Sequence, residues 1–362
     1  MAPDSPQRPT TCIVIVTFNS AQYLPELFAS LRLHTDLTSG RTQIVVVDNA
    51  SSDMSRDLVA DEARKGAGIT AIHLSENLGF TGGNNRGIAE ARQRGAEFVM
   101  CLNPDIVVGP RWLDRLLEVM AQRPEVAAAQ PLILLHGTDR INTSGNRLHY
   151  CGFGYCGDYG LPVHDLRVEP AVRSVAYCSG AAMLLRMRAL DEVGDFNEPL
   201  FLYHEDCELQ VRMRQASWEC VSVLDVAVAH KYKQDFSTHK YHWLERNRLW
   251  VLLETWPIEI LIASLPVLLG CELAVLAFSI RGGWGRDKLS IYGEILRRLP
   301  EILNSRRDRM SARKPDASEV RLMTGKMQFE GLDSWIITRV ANPILDAYFQ
   351  RVIKRVRVHS ES

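Results

Sequence analysis

Short, continuous runs of apolar residues alternate with amphipathic helical segments along the first third of the chain, and this alternation constrains the fold most. Apolar β-branched runs occupy 12–18, 44–48, 69–74 and 97–102. Helical spacing of apolar side chains follows each run, at 20–33, 54–65, 84–94 and 110–122. Strands without a polar face that are separated by helices are typical of a parallel sheet covered on both sides. The pattern therefore predicts an α/β fold with a mostly parallel, Rossmann-like sheet flanked by helices.

Polar clusters fall where three of these predicted strands end. They are Thr17-Phe18-Asn19, the stretch from Asp48 to Asp53, and Asn103-Pro104-Asp105. Ligands of open α/β sheets bind outside the carboxyl ends of the strands, so we expect these side chains to border a binding site. A carboxylate at such an edge, here Asp105, can hold a divalent ion against phosphate oxygens. Two plainer interpretations stay open, namely helix capping by Ser51, Ser52 or Asp53 and a proline-containing turn at 103–105.

The stretch from Asn77 to Gly87 is rich in glycine and is predicted to be a turn that leads into a helix. Glycines allow the backbone to approach a nucleotide, and a helix N-terminus favours a phosphate group. The glycine spacing does not follow GxGxxG, and no GxxxxGK[ST] sequence occurs. A Rossmann dehydrogenase and a P-loop enzyme are therefore disfavoured. A nucleotidyltransferase is disfavoured as well, because Thr17-Phe18-Asn19-Ser20 stands where its glycine-rich phosphate loop would lie.

Further acids and a histidine lie downstream of the sheet pattern. Glu205-Asp206 begins a predicted helix at 205–216, where an acid can act as a general base or simply favour the helix dipole. His230 lies just beyond a predicted strand at 218–228. A single histidine more often has a structural role than a ligand role. His230 together with Asp105 would nevertheless give a metal site of mixed nitrogen and oxygen ligands.

The most apolar stretch of the chain lies at 260–280. Its length would just allow a transmembrane helix, but Glu272 and Pro266 count against a simple span. A spanning helix, an interfacial or re-entrant helix, and a helix buried in protein all stay open. Residues 281–362 carry 17 Lys+Arg and 10 Asp+Glu, whereas the rest of the chain is acidic. This asymmetry points to an anionic surface as the partner of the basic tail.

The composition also indicates which partners are disfavoured and in which cellular compartment the protein is expected. The net charge of −1 disfavours a nucleic-acid binder. The eight cysteines include no CxxC pair, and the polar, proline-rich N-terminus contains no apolar signal-peptide core. We therefore expect reduced thiols and a cytoplasmic location.

The chemistry-bearing motifs form one ordered set between residues 11 and 250. They are TFN at 17–19, VVVDNASSD at 45–53, ENLGFTGGNNRG at 76–87, LNPD at 102–105, FLYHED at 201–206, His230, and the RN pair at 246–247. This set resembles family 2 glycosyltransferases of the GT-A fold. It is most similar to the bacterial rhamnosyltransferase-type members that build cell-surface polysaccharide.

The resemblance implies roles for individual residues. Asp206 would be the catalytic base, and Glu205 would lie on the acceptor side. Asp105 and His230 would bind Mg²⁺ or Mn²⁺, and Asn103 replaces the first acid of the DxD motif that relatives carry. The residues that would border the nucleotide-sugar donor are Thr17, Asn19, Asp48, Asn49, Asn77, Gly79, Gly82, Asn84, Asn103 and Arg246.

The activity that the resemblance implies is inverting hexosyl transfer. The first candidate donor is dTDP-rhamnose, with other dTDP-, UDP- or GDP-sugars as alternatives. The acceptor would be a polyprenyl-diphosphate-linked saccharide or a growing glycan. We expect peripheral association with the cytoplasmic face of the inner membrane, while the sugar, the linkage and a homo-oligomeric state stay open.

One alternative comes from a different functional class. A non-catalytic nucleotide-sugar-binding or scaffold protein with a degenerate site would also fit the motifs, and Asn103 is its best support.

The expected domain organisation has three parts. We expect a flexible N-terminus at 1–10, a GT-A domain at 11–250, and a helical, membrane-associating region at 251–362 that is apolar and then basic. Inside the GT-A domain we expect a long loop with irregular strands at 136–172 and a strand pair around Ser179-Gly180.

Overall fold

The computed structural model describes residues 10–66, 68–233, 237–314, 320–328, 335–356 and 358. The chain divides into two compact units. The first unit comprises 1–145, 157–202 and 218–232, and the second comprises 146–156, 203–217 and 233–362. Of the predicted flexible N-terminus, only Thr10 lies within the described residues. The boundary expected after residue 250 stays a prediction.

The elements are numbered along the chain. The strands are β1 (Thr11–Thr17), β2 (Thr42–Asp48), β3 (Ile69–His73), β4 (Phe98–Leu102), β5 (Ile106–Val108), β6 (Val126–Leu135), β7 (Ile141–Thr143), β8 (Asn146–His149), β9 (Gly154–Cys156), β10 (Val172–Ser174), β11 (Ala182–Arg186), β12 (Glu219–His230) and β13 (Met323–Thr324). The helices are α1 (Leu24–His34), α2 (Ser55–Arg64), α3 (Gly79–Gln93), α4 (Trp112–Gln122), α5 (Met187–Val193), α6 (Glu205–Gln215), α7 (Thr238–Thr255), α8 (Ile258–Arg281), α9 (Gly285–Ser311) and α10 (Asn342–Arg351).

The first unit is built on one large mixed sheet. Its strand order is β3-β2-β1-β4-β11-β6-β12-β10, with β5 paired to β12 and β7 paired to β6. Strands β1 to β4 run parallel, as the apolar runs predict, and β6 is parallel to β12. Strand β11 is antiparallel to both β4 and β6. The α/β prediction is confirmed, and the parallel strand ends that face one edge carry the polar clusters.

Glycines set how closely α3 approaches the sheet. A Cβ atom on Gly83 would lie 2.6 Å from Cγ1 of Val16, and one on Gly87 would lie 2.2 Å from Cγ1 of Val14. Only glycine permits this packing, because real Cβ atoms do not approach so closely. The prediction of a glycine-rich turn before a helix at 84–94 is therefore wrong in its boundary, since the helix already begins at Gly79.

Two weaker predictions concern the middle of the chain. The strand pair expected around Ser179-Gly180 does not form a hairpin, because β10 pairs with β12 while β11 pairs with β4 and β6. The long loop expected at 136–172 contains β7, β8, β9 and a short 3₁₀ turn at Val163–Asp165. Long-range pairing decides both regions, and local sequence patterns do not encode it.

The second unit combines a small sheet, in the order β13-β8-β9, with α6 to α10. Helix α8 is continuous, with Pro266 inside it. A buried charge cluster joins α7, α8 and α9: Lys288 Nζ lies 2.7 Å from Glu245 Oε2 and 2.9 Å from Glu272 Oε2, and Arg248 pairs with both acids. Because each charge has an opposite partner, the cluster can be buried between the helices.

Candidate functional site

Asp105 and His230 lie side by side in the first unit. Asp105 immediately precedes β5, and His230 is the last residue of β12, which pairs antiparallel with β5. The backbone N–H of Lys231 donates to the Asp105 carbonyl at 2.9 Å, which fixes the two strand ends together. As a result, His230 Nε2 lies 3.3 Å from Asp105 Oδ2. The structure thus brings together the two predicted metal ligands, which are far apart in sequence.

The polar atoms of this pair fit a divalent cation. His230 Nδ1 lies 2.8 Å from Asn142 Oδ1, so a proton on Nδ1 leaves the Nε2 lone pair directed at the Asp105 carboxylate. Asp105 Oδ1 is buried and has no hydrogen-bond partner among the described residues. A lone pair and a carboxylate repel one another unless a cation or a proton lies between them. No cluster of three or more His, Cys, Asp or Glu side chains occurs in the described part of the chain, so further ligands would come from substrate or water.

A row of three polar side chains crosses the ends of β1, β2 and β3. Thr17 is in register with Asp48, and Asp48 is in register with His73. Residues in register on parallel strands place their side chains on the same face of the sheet. Thr17 Oγ1, both Asp48 carboxylate oxygens and His73 Nδ1 are buried and lack a hydrogen-bond partner within the described residues. His73 Nδ1 lies 3.8 Å from Asp48 Oδ2, which is an ion-pair contact but is too long for a hydrogen bond. Buried polar groups without hydrogen bonds are costly, which marks this row as a place for a polar ligand.

The predicted donor residues that carry amides make a different set of contacts. Asn49 Nδ2 donates to Asn77 Oδ1 at 2.8 Å and to the Gly79 carbonyl at 2.9 Å, which holds the segment between β3 and α3. Asn19 Oδ1 accepts from the backbone N–H of Ser52 at 2.8 Å, and Asn84 Nδ2 donates to the Phe80 carbonyl at 2.9 Å. These side chains therefore shape the loops around the row.

The structure also shows the local surroundings of the predicted donor-site glycines, and it tests the alternative of helix capping at 51–53. Gly79 has a φ of +71°, and a Cβ atom there would lie 2.5 Å from the Phe201 carbonyl oxygen, whereas Gly82 lies in the first turn of α3. The N-cap of α2 is Met54, which makes no side-chain cap, so none of Ser51, Ser52 and Asp53 occupies the cap position. Asp53 Oδ1, one residue earlier, still accepts from the N–H of Ser55 at 2.9 Å. Asn103 belongs to the turn after β4, where its carbonyl accepts from the N–H of Ile106 at 3.3 Å.

The acidic pair of the second unit begins α6. Glu205 is 5% exposed, and its Oε2 has no bonded partner in the part of the chain that the structure describes. Burial and the neighbouring Asp206 carboxylate raise the pKa of Glu205 well above its ordinary value. Asp206 is half-buried, and its Oδ1 accepts from the N–H of Cys207 at 2.7 Å. Of the two, Asp206 is the acid suited to accept a proton.

Arg246 is also in the second unit, and it is enclosed by protein. Its guanidinium donates to Glu294 Oε1 at 3.0 Å and to Asn247 Oδ1 at 2.8 Å, and it lies 4.5 Å from the ring centre of Trp250. The side chain is 1% exposed. These contacts give Arg246 a packing role in α7, while its predicted contact with the donor stays a prediction.

Two polar residues of the candidate site, His73 and Asn142, are missing from the site residues predicted from the sequence. His73 was assigned only to a predicted strand, although its place at the end of that strand was a usable signal. Asn142 lies on β7 and orients His230. No motif or spacing in the sequence marks Asn142, because its contact depends on the pairing of β7 with β6.

Comparison with known proteins identifies relatives of this chain. Residues 12–194 match the profile of Glycosyl transferase family 2. An N-acetylglucosaminyl-diphospho-decaprenol L-rhamnosyltransferase of Mycobacterium tuberculosis is 27% identical over 252 residues, which cover 65% of this chain and 78% of the relative. A hexosyltransferase of low-salt glycan biosynthesis from Haloferax volcanii is 27% identical over 208 residues, which cover 56% and 61%.

Solved structures share the fold. A structure of GalNAc-T7 with UDP, GalNAc and Mn²⁺ aligns with a TM-score of 0.55 and 15% identity, over 69% of this chain and 48% of that one. A mannosyltransferase from Pyrobaculum calidifontis with GDP-mannose and Mn²⁺ aligns with a TM-score of 0.51 and 15% identity, over 86% and 88%. The family profile covers half of the chain, and the fold of the chain is the one found in these glycosyltransferase structures. The chain therefore belongs to glycosyl transferase family 2 and is a glycosyltransferase of the GT-A fold.

Proposed function

We propose that this chain transfers a sugar, with L-rhamnose from dTDP-rhamnose as the first candidate, to a polyprenyl-diphosphate-linked saccharide, with inversion at the anomeric carbon. The observation that carries the proposal is the Asp105–His230 pair, whose unpaired carboxylate oxygen lies at the end of the sheet strands. The mycobacterial relative is an N-acetylglucosaminyl-diphospho-decaprenol L-rhamnosyltransferase, which supports L-rhamnose as the sugar and a polyprenyl-diphosphate-linked saccharide as the acceptor.

Asp105 and His230 would hold a Mg²⁺ or Mn²⁺ ion. When bound, such an ion supplies positive charge that stabilises the diphosphate leaving group. The protein would provide one carboxylate and one imidazole, and Asn142 would keep His230 in the tautomer that leaves Nε2 free. The two solved structures contain Mn²⁺ together with UDP and GalNAc or with GDP-mannose, which supports a divalent metal at this pair.

The donor nucleotide would bind at the row formed by Thr17, Asp48 and His73. The buried oxygens of Asp48 and Thr17, which have no hydrogen-bond partner within the described residues, are acceptors for the donor groups of a base or ribose. The residues that would border the donor through the surrounding loops and turns are Asn19, Asn49, Asn77, Gly79, Gly82, Asn84 and Asn103.

Asp206 would take the proton from the acceptor hydroxyl as that oxygen attacks the anomeric carbon. The new C–O bond forms while the bond to the diphosphate breaks, and the diphosphate leaves with the electron pair. A single displacement inverts the configuration, so no carboxylate nucleophile and no covalent sugar–enzyme intermediate are required. Glu205 would line the acceptor side.

A panel of nucleotide-sugars tests this function. The protein is incubated with Mg²⁺ or Mn²⁺ and with dTDP-rhamnose, UDP-N-acetylglucosamine, UDP-glucose or GDP-mannose, and hydrolysis and the thermal shift of unfolding are measured. We expect dTDP-rhamnose to give the largest shift and a measurable release of dTDP. Stabilisation by a nucleotide-sugar without hydrolysis, and without transfer to a polyprenyl-linked acceptor, would instead support a non-catalytic binding protein.

We also propose that the second unit binds the cytoplasmic face of the membrane through an apolar surface on α8. This helix has 24 residues, so it is long enough to cross a bilayer. Its most apolar window of 18 residues has a mean hydropathy of 2.3, and only 11% of that window is buried. Its exposed side chains recur at helical spacing, at Ile262, Leu265, Leu269 and Leu273. Exposed leucines on α9 also recur at helical spacing, at Leu289, Leu296 and Leu303. Together these leucine and isoleucine side chains form what we term the apolar face.

Contacts of Glu272 favour an orientation of α8 along the membrane surface. The Glu272 carboxylate accepts from Lys288 Nζ at 2.9 Å and from the Tyr292 hydroxyl at 2.7 Å, and it also pairs with Arg248. A spanning α8 would bring this charge cluster to the middle of the bilayer, where charges are costly. A helix in the plane of the interface keeps the cluster on the protein side while the apolar face contacts lipid.

The introduction of acidic side chains on the apolar face is expected to release the protein from membranes. In flotation with vesicles of phosphatidylcholine containing phosphatidylglycerol, the wild type should float, whereas the double variant Leu269→Glu/Leu273→Glu should float at least about tenfold less, because each exposed leucine contributes on the order of 1 kcal/mol when it is buried in lipid. Leu33→Glu is the matched control, since Leu33 is 75% exposed on α1 of the first unit. Equal flotation of the double variant and the wild type would overturn this assignment.

A further inference from the structure

The segment that enters α6 has an uncommon backbone. Tyr203 and His204 have φ angles of +68° and +64°, a region that residues with a Cβ atom rarely adopt. His204 immediately precedes α6, and its carbonyl accepts the helical hydrogen bond from the N–H of Glu208 at 2.8 Å. The two left-handed residues thus determine where α6 begins and how its first turn, which carries Asp206, is oriented. Backbone of this kind persists only where surrounding contacts hold it.

One buried side chain makes such a contact. Asn247 on α7 is fully buried, and its Nδ2 donates to the Tyr203 carbonyl at 2.7 Å. Its Oδ1 accepts from Arg246 at 2.8 Å, so both ends of the amide are bonded and its orientation is determined. Arg246 is in turn bonded to Glu294 at 3.0 Å. A chain of hydrogen bonds therefore runs from α9 through α7 to the turn before α6.

A second contact holds the next residue of the turn. The His204 ring lies with Nε2 3.2 Å from the Gly152 carbonyl oxygen, and burial lowers the pKa of His204 to about 4. A neutral imidazole in this place can donate to that carbonyl through Nε2–H. The turn is consequently fixed at its backbone by Asn247 and at a side chain by Gly152, and the Asn247 bond is the one that acts directly on the main chain.

We propose that Asn247 is a positioning residue that holds the Tyr203–His204 turn so that Asp206 is placed for proton transfer. The proposal rests on the function proposed above, in which Asp206 is the general base. A base acts only within hydrogen-bond distance of its proton, and a displacement of about 1 Å can cost about 10²-fold in rate. Asn247 itself contacts the turn and Arg246, so it acts through Asp206 and not on the substrate.

The chain supplies a matched control at the other end of the same two helices. Gln215 is the last residue of α6, and its Nε2 donates to the carbonyl of Thr255, the last residue of α7, at 2.6 Å. This bond has the same chemistry as the Asn247 bond, an amide donating to a main-chain carbonyl, and Gln215 is 3% exposed. Gln215 lies about 14 Å along α6 from Asp206. Loss of either bond should weaken helix packing, but only the Asn247 bond should affect Asp206.

The test compares Asn247→Ala, Asn247→Ser and Gln215→Ala in the full chain. The assay uses dTDP-rhamnose as donor and decaprenyl-diphosphate-linked N-acetylglucosamine as acceptor, well below the lowest melting temperature of the set. Both Asn247 variants should lose about 10²-fold in kcat while the KM for dTDP-rhamnose stays within twofold. Gln215→Ala should lower the melting temperature by about as much as the Asn247 variants do, but it should keep kcat within threefold of the wild-type value. The serine variant retains a polar side chain and serves if the alanine variant does not fold.

A double-mutant cycle separates positioning from a purely structural role. If Asn247 acts through Asp206, adding Asn247→Ala to Asp206→Asn should leave the residual rate unchanged within twofold, because the group that it positions is already lost. Additive losses, or an Asn247→Ala kcat equal to that of Gln215→Ala, would overturn the positioning role while the base assignment stands. Normal turnover of Asp206→Asn would overturn the base assignment itself, and the positioning role with it.

Discussion

Asp206→Asn is expected to lower kcat by about 10³-fold while it leaves the affinity for the nucleotide-sugar within twofold. The amide has nearly the same shape as the carboxylate but cannot accept the proton of the acceptor hydroxyl, and general-base catalysis contributes about 10²- to 10⁴-fold. The N–H of Cys207 that now donates to Asp206 Oδ1 can also donate to the amide oxygen, so the start of α6 should be preserved. Rates are measured with saturating donor and acceptor, and donor affinity by calorimetry.

Asp225→Asn is a suitable control for this variant. Asp225 makes an ion pair with Arg115 at 3.0 Å and is 36% exposed, so the same chemical change there should leave kcat within twofold. If Asp206→Asn turned over as fast as this control, the proton would have to be taken by another group, and Asp206 would not be the base.

The second large effect is expected at Asp105. Asp105→Ala should abolish the strengthening of dTDP binding by Mn²⁺, which in the wild type should be at least about tenfold, and it should lower kcat by at least about 10²-fold. The reason is that the substitution removes the carboxylate, including the unpaired oxygen beside His230, whereas His230 keeps its contact with Asn142. Calorimetric titration of dTDP with and without Mn²⁺ measures the difference.

Asp114→Ala, an exposed acid in the first turn of α4, controls for the general loss of a negative charge and should bind dTDP and Mn²⁺ as the wild type does. An Asp105→Ala protein whose dTDP affinity still rose with Mn²⁺ to the wild-type extent would exclude Asp105 as a metal ligand.

The parallel part of the fold could be predicted because its signals are local. Strands β1, β2 and β4 are buried on both faces, so their sequences are continuous apolar runs, and the helices between the parallel strands repeat apolar residues at helical spacing. Strand β11 could not be placed in the same way. It lies antiparallel between β4 and β6, and this place depends on partners that are distant in sequence.

In the candidate site, too, some residues could be placed from local sequence signals, whereas others depend on contacts between distant parts of the chain. Thr17, Asp48 and Asp105 follow predicted strands, so their position at one edge of the sheet follows from the parallel arrangement. The approach of His230 to Asp105 was an expectation from the resemblance and from residue chemistry, since the pairing of β5 with β12 creates the contact. Asn247 was recognised only as half of a motif. Its bond to the Tyr203 carbonyl depends on a backbone turn that propensity disfavours, so sequence patterns could not reveal it.

Glycines show how one residue type can be interpreted in two ways. The stretch from Asn77 to Gly87 was interpreted as a turn leading into a helix, with glycines that allow the backbone to approach a nucleotide. Gly83 and Gly87 instead lie inside α3, where Val14 and Val16 leave no room for a Cβ atom. The distinction depends on whether the facing surface is protein or ligand, which the sequence of the segment alone does not contain.

The most direct test of the central claim is the stereochemistry of the product. The protein is incubated with Mn²⁺, dTDP-β-L-rhamnose and decaprenyl-diphosphate-linked N-acetylglucosamine, and the anomeric configuration of the transferred sugar is determined by NMR. A single displacement with Asp206 as the base predicts an α-L-rhamnosyl product. A β-linked product would require two displacements or a front-side reaction, and it would contradict the mechanism proposed for this site.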